Sequence, residues 1–142
     1  MKRIELDEAY LQMAEIWAQR SKANRMKVGA LIVKGTQIIS DGYNGMPAGA
    51  EDDCCEHVVD GELKTRPEVV HAEANAILKA ARYGGMGLEG ATLYVTLSPC
   101  IDCAKMIVSS KISKVVFRTL YRSTEGIDFL RKYGVTVERK IK

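Results

Sequence analysis

A layered α/β fold, with a sheet covered by helices on both faces, is the class that this 142-residue sequence predicts. Three observations point to it. Strand-length apolar runs alternate with amphipathic helical runs through the second half of the chain, and two apolar runs around residue 35 are separated only by Gly35-Thr36. The composition, 46% hydrophobic and 27% charged, supplies enough apolar surface for one core. The expectation is one domain over residues 1–142 with a mixed sheet of about five strands, an antiparallel hairpin joined to a largely parallel remainder.

The elements follow in order. Leu6, Tyr10, Met13 and Trp17 mark one face of a first helix ending near Ser21. Val28 to Lys34 and Gln37 to Asn44 form the hairpin. A helix starts at His71 and carries the stripe Ala74, Ile77, Leu78, Ala81 before Gly84-Gly85 stops it. Ala91 to Thr96 is a strand, Pro99 to about Ser109 a helix, and Lys114 to Arg118 a strand, which makes a β-α-β unit. Ile127, Leu130 and Tyr133 mark a last helix stopped by Gly134, and Val135-Thr136-Val137 is a last short strand. In such a fold ligands sit near strand ends and helix starts.

Chemistry concentrates in two runs, His71-Ala72-Glu73 and Pro99-Cys100-Ile101-Asp102-Cys103. His71, Cys100 and Cys103 are three ligands of the softness zinc prefers, which leaves a fourth position open for water, as a catalytic site requires and a closed structural site does not. Ser98-Pro99 reads as a helix start, with Ser98 as cap, and so sets Cys100 and Cys103 at i and i+3 on one face. The helix N-terminus favours the thiolate form. A lone Cys-x-x-Cys would equally suit a redox pair or half of a four-ligand zinc knuckle, but neither reading gives Glu73 a role. Beside the ion, Glu73 is the candidate proton carrier.

Charge and cysteine use bound the remaining possibilities. A net charge of +3 does not suggest a nucleic-acid binder, and no run is long enough to span a membrane. Acidic residues within the first eight positions argue against a secretory signal. Four cysteines, two of them assigned to a metal, fit a reducing, cytoplasmic compartment.

With Lys27-Val28-Gly29-Ala30, the loop Gly42-Tyr43-Asn44-Gly45-Met46-Pro47-Ala48-Gly49 and His71-Ala72-Glu73-Ala74-Asn75-Ala76 added to the zinc motif, the chain resembles the deoxycytidylate deaminases of the zinc-dependent cytidine deaminase superfamily nearly end to end. The resemblance implies a cytidine-deaminase-like three-layer α/β/α fold. It also implies zinc-dependent hydrolysis of dCMP to dUMP and ammonia, feeding dTMP synthesis. Glu73 would take a proton from water, protonate ring N3 and then deliver a proton to the departing amino group. By the same analogy Asn44 binds the sugar 3'-hydroxyl, and the backbone around Ala72 and from Ser98 to Cys100 reads the base edge. The resemblance further implies activation by dCTP and inhibition by dTTP, each with Mg²⁺, in a homohexamer. Gly42, Tyr43, Asn44, Gly45, Met46 and Pro47 are the residues this analogy assigns to the allosteric site. His as first ligand also occurs in tRNA adenosine deaminases, the alternative class, which would need a basic groove and stacking aromatics.

Two points come from residue chemistry alone. A 5'-phosphate needs cations or hydroxyls, and Arg25, Tyr121 and Arg122 are the candidates, with solvated surface side chains as the competing reading. Cys54, Cys55 and His57 are candidates for a second, structural zinc, against a loop with two free thiols, and Asp52, Asp53 and Glu56 for Mg²⁺ or plain surface charge.

Overall fold

The computed structural model describes residues 2–142. Among these, four helices and seven strands follow the order α1 (Leu6–Ala18), β1 (Gly29–Lys34), β2 (Gln37–Tyr43), β3 (Glu56–Val59), β4 (Glu62–Thr65), α2 (Ala72–Tyr83), β5 (Thr92–Leu97), α3 (Ile101–Ser109), β6 (Lys114–Thr119), α4 (Glu125–Lys132) and β7 (Thr136–Arg139). Five strands form the main sheet in the order β2-β1-β5-β6-β7. The β2-β1 and β1-β5 pairs are antiparallel, while β5-β6 and β6-β7 are parallel, so the sheet is mixed as predicted.

One face is covered by α1, through Tyr10, Leu11 and Ala14 against Leu31, Val33, Tyr94 and Val116. The other face packs Ile32, Leu93, Val95, Val115 and Phe117 against Ala72 and Ala76 of α2, Ala104 and Ile107 of α3, and Ile127 and Leu130 of α4. Burying the Val, Leu, Ile and Phe side chains among these stabilises by about 1.5–3 kcal/mol each. The first layer is also tied ionically. Arg118 of β6, 7% exposed, makes a two-pronged pair with Glu8 of α1 at 2.8 and 2.6 Å and reaches Glu15 at 3.1 Å.

The helical stripes differ from the sequence expectation in which face they bury. Leu6 and Met13 of α1 are exposed, and the sheet-facing row is Tyr10, Leu11, Ala14 and Ala18. In α2 the buried residues are Ala72, Glu73, Ala74 and Ala76, while Leu78 and Ala81 lie outside. Tyr133 is likewise exposed. The cause is close approach of backbones. A Cβ on Gly29 would stand 2.0 Å from the Ala14 carbonyl oxygen and 2.7 Å from the Ala18 nitrogen, and one on Gly42 would meet the Ala72 carbonyl at 2.5 Å. Helices lying this deep on strand glycines turn their alanine rows inward and leave longer side chains at the edges.

A further element was not expected at all. β3 and β4 form a separate antiparallel hairpin whose turn residues Asp60 and Gly61 have φ of 51° and 77°. Asp-Gly with both residues left-handed is the signature of a tight hairpin turn. The strands themselves are mostly polar and exposed, which removes the alternation that would have announced them.

Candidate active site

Both metal-motif segments come from helix starts facing the same end of the sheet. His71 is the N-cap of α2 and Cys100 the N-cap of α3, and neither makes a side-chain capping hydrogen bond. Positions where Ser, Thr or Asp would stabilise a helix by about 1 kcal/mol are given instead to candidate metal ligands. The expected helix start at Ser98-Pro99 is thereby corrected. Ser98 does not cap α3, because its hydroxyl accepts the Tyr121 N–H at 2.6 Å. Cys103, one turn into α3, is 1% exposed.

The donor set fits zinc. His71 Nδ1 lies 3.5 Å from Cys100 Sγ and 3.4 Å from Cys103 Sγ, and the three ligand atoms all fall within 4.8 Å of one another. A tetrahedral zinc with ordinary Zn–S and Zn–N bonds requires N···S edges of about 3.6 Å. A hydrogen bond from Cys103 holds the Cys100 thiol down at about 4, and the same hydrogen bond pushes Cys103 up. The His71 imidazole is raised by its hydrogen bond to Cys100. Among the described residues no other three metal-binding side chains converge, so Cys54, Cys55 and His57 do not form the second site considered from the sequence. Cys54 is exposed and Cys55 buried, so the two adjacent side chains point apart.

Glu73 follows directly in the first turn of α2 and is 4% exposed. Burial is the main cause that pushes its carboxyl up to about 7. A group so placed exchanges protons at neutral pH.

His71, Glu73 and Cys100 line a cavity of about 460 Å³ together with Ala72 and Ser98. Asn44, Arg25, Tyr121 and Arg122 line the same cavity. Asn44 is held at the start of β1: its Oδ1 accepts the Val28 N–H at 2.9 Å and its Nδ2 donates to the Met26 carbonyl at 2.8 Å. Its backbone carbonyl accepts the Ser21 hydroxyl at 2.8 Å. The Arg122 guanidinium stacks 5.6 Å from the Tyr121 ring centre. Glu56, considered from the sequence for Mg²⁺ or surface charge, and Thr65, which sequence reasoning missed, line the same cavity from the unexpected hairpin. The Asp60-Gly61 turn was the signal that would have brought them in.

The rest of the glycine-rich loop faces elsewhere. Gly42, Tyr43, Gly45 and Met46 line a second cavity of about 340 Å³ together with Lys79 and Arg82 of α2. Pro47 accepts the Ala50 N–H in the turn that follows. Gly45 bridges to Val70, which ties the loop to the segment leading into His71.

Three converging side chains able to hold a zinc ion, with a buried carboxylate beside them in the first turn of α2, are the apparatus of a metal-dependent hydrolytic enzyme. A sequence model of the cytidine and deoxycytidylate deaminase zinc-binding region matches residues 4–119, and the chain belongs to that family. The deoxycytidylate deaminase of Enterobacteria phage T4 is 38% identical over 89% of this chain and 86% of its own length. That of Mycobacterium phage D29 is 42% identical over 82% of this chain and 97% of its own length. The crystal structure of dCMP deaminase from the cyanophage S-TIM5 in complex with dCMP and dUMP superposes with a TM-score of 0.90 at 44% identity, covering 99% of this chain and 100% of that one.

Proposed function

We propose that residues 1–142 act as one catalytic domain that hydrolyses dCMP to dUMP and ammonia, supplying the precursor of dTMP. The observation that carries this reading is the cavity in which His71, Cys100 and Glu73 share walls with Arg25, Tyr121 and Arg122. Similarity to the T4, D29 and S-TIM5 enzymes supports the same substrate.

His71, Cys100 and Cys103 would hold the zinc, which when bound supplies an activated water at neutral pH. Glu73 accepts one proton from the attacking water and passes it to ring N3 as the C4–O bond forms, then takes the second proton from the new C4 hydroxyl and delivers it to the amino group as the C4–N bond breaks. Its raised pKa suits both directions of transfer. Ala72 and the Ser98 to Cys100 backbone bound the base, Asn44 meets the sugar 3'-hydroxyl with the hydrogen-bonding capacity it has left, and Arg25, Tyr121 and Arg122 take the 5'-phosphate.

The regulatory part of the reading places dCTP or dTTP, with Mg²⁺, in the second cavity. Lys79 and Arg82 offer cations there beside a glycine-rich loop that lets backbone approach phosphate closely. A homohexamer would cover the outward apolar side chains Met13, Ile16 and Leu78. No helix among the described residues is long and apolar enough to cross a membrane. The nucleotide substrate is the ground on which this reading places the enzyme in the cytoplasm.

The test is the absorbance change on incubating zinc-loaded protein with dCMP, deoxycytidine or a tRNA anticodon stem-loop, with and without dCTP and Mg²⁺. Turnover of dCMP in preference to deoxycytidine, enhanced by dCTP, is the expected result. Turnover of RNA alone would replace the nucleotide reading with the tRNA-deaminase one.

A further inference from the structure

The hairpin that sequence reasoning missed does something specific at the cavity wall. Glu56 and Thr65 are paired directly across its base, as the first rung of β3 and β4. Both side chains reach the same residue of the α1–β1 loop. The Glu56 carboxylate, through Oε2, accepts the backbone N–H groups of Asn24 at 2.9 Å and of Arg25 at 3.0 Å. Thr65 Oγ1 accepts from the Arg25 guanidinium at 3.2 Å. One rung therefore holds Arg25 at its backbone and at the tip of its side chain.

The rung is itself anchored from behind. The Arg66 N–H donates to the Cys55 carbonyl at 2.8 Å, closing the hairpin one step below, and the Arg66 side chain binds Asp52 at 3.0 Å. Cys55 is 1% exposed. Glu56 Oε1 is buried and has no partner, so this carboxylate has given up hydration on one oxygen while the other is spent on the loop. A charge desolvated in this way is costly unless its hydrogen bonds are strong. Arg25, in contrast, is exposed and sits in a loop without regular structure. A long, flexible cation in a loop binds an anion well only if its backbone and head group are ordered beforehand.

We propose that the base rung of the β3–β4 hairpin is the positioning element for Arg25, and that Glu56 and Thr65 thereby set the preference of the cavity for a 5'-phosphorylated nucleotide over the free nucleoside. Neither residue touches the phosphate, since both act through Arg25. This rests on the proposed role of Arg25 toward the phosphate.

The experiment compares kcat and KM for dCMP and for deoxycytidine in the zinc-loaded wild-type protein and in Arg25→Ala, Glu56→Ala, Glu56→Gln, Thr65→Val and the double variant Arg25→Ala/Glu56→Ala, with zinc content measured for each. Arg25→Ala should lower the ratio of kcat/KM for dCMP to that for deoxycytidine by about tenfold or more, the loss of one charge-assisted hydrogen bond to phosphate. Glu56→Ala should reproduce most of that loss, through KM for dCMP. Thr65→Val should show a smaller loss of the same kind. Glu56→Gln should recover most of the preference, because its carbonyl oxygen still accepts both N–H groups. The double variant should be no worse than Arg25→Ala, since the rung has nothing left to position. If Arg25→Ala lowers the ratio and Glu56→Ala and Thr65→Val do not, or if the double variant shows the two losses multiplied, the positioning role is overturned while the role of Arg25 stands. If Arg25→Ala leaves the ratio at its wild-type value, the phosphate role of Arg25 falls and the positioning role with it.

Discussion

Gly42 of β2 lies flush against Ala72 of α2: a Cβ on Gly42 would stand 2.5 Å from the Ala72 carbonyl oxygen and 2.7 Å from the Ala76 nitrogen. Backbone opposes backbone at this point, so no flexible side-chain end can move aside. The helix whose first residues follow His71 and include Glu73 is thus set at its depth by a strand residue with no side chain. Gly126 plays the same part for the other ligand pair, since a Cβ there would meet the Pro99 carbonyl at 2.1 Å.

Gly42→Ala should consequently push α2 off the sheet, destabilising the protein by about 1–3 kcal/mol as overpacking does. Zinc affinity and turnover should fall together, because His71 and Glu73 move as one body. Thermal denaturation and metal titration check this, and wild-type values for both would refute the close-packing account.

Glu73→Gln should retain zinc, since Glu73 is not among the three converging ligands. It should lower kcat by a factor of about 100 to 10,000, the range for loss of a general acid-base group. Metal analysis alongside steady-state kinetics reads both. Retained turnover would remove Glu73 from proton transfer.

Cys103→Ala should release the metal. Cys103 is buried, its sulfur lies 3.4 Å from His71 Nδ1, and among the described residues the converging metal-binding side chains are His71, Cys100 and Cys103. Equilibrium dialysis against a zinc-buffered solution should show affinity well below wild type. Full retention would sink the ligand assignment.

Acid stability should depend on Glu8. Its hydrogen bond to Arg118 holds the carboxyl at about 2, below the ordinary 4.5, while the Arg118 guanidinium is pushed up by the same contact. A carboxyl lowered in the folded state contributes stability that is present above its unfolded pKa and lost as pH falls through the folded one. Wild-type protein should therefore lose its advantage over Glu8→Gln between about pH 4.5 and pH 2. Denaturant midpoints for the two proteins across that interval give the answer, and a constant difference would mean that Glu8 does not stabilise through its charge.

Fold class and ligand set were legible for different reasons. Strand positions followed from apolar runs bounded by turn residues, and Gly29–Lys34 and Gln37–Tyr43 pair across Gly35-Thr36 as expected. The buried faces of α1 and α2 were misread because periodicity weights large apolar residues. Here Ala14, Ala18, Ala72 and Ala76 face the sheet, and Met13 and Leu78 do not.

By itself the sequence determined the candidate donor set: zinc selects ligand types and spacings, and His71, Cys100 and Cys103, with the acidic Glu73 beside them, stand out from local spacing alone. It likewise determined the alternation of strands and helices, since periods of 2 and 3.6 are local properties. Only the tertiary structure decided which helix faces are buried, that Ser98 binds the Tyr121 N–H instead of capping α3, and that Glu56 and Thr65 close on Arg25 from 31 and 40 residues away. Such contacts depend on how closely two backbones approach and on where a hairpin folds back, and neither quantity is written in any short stretch of the chain.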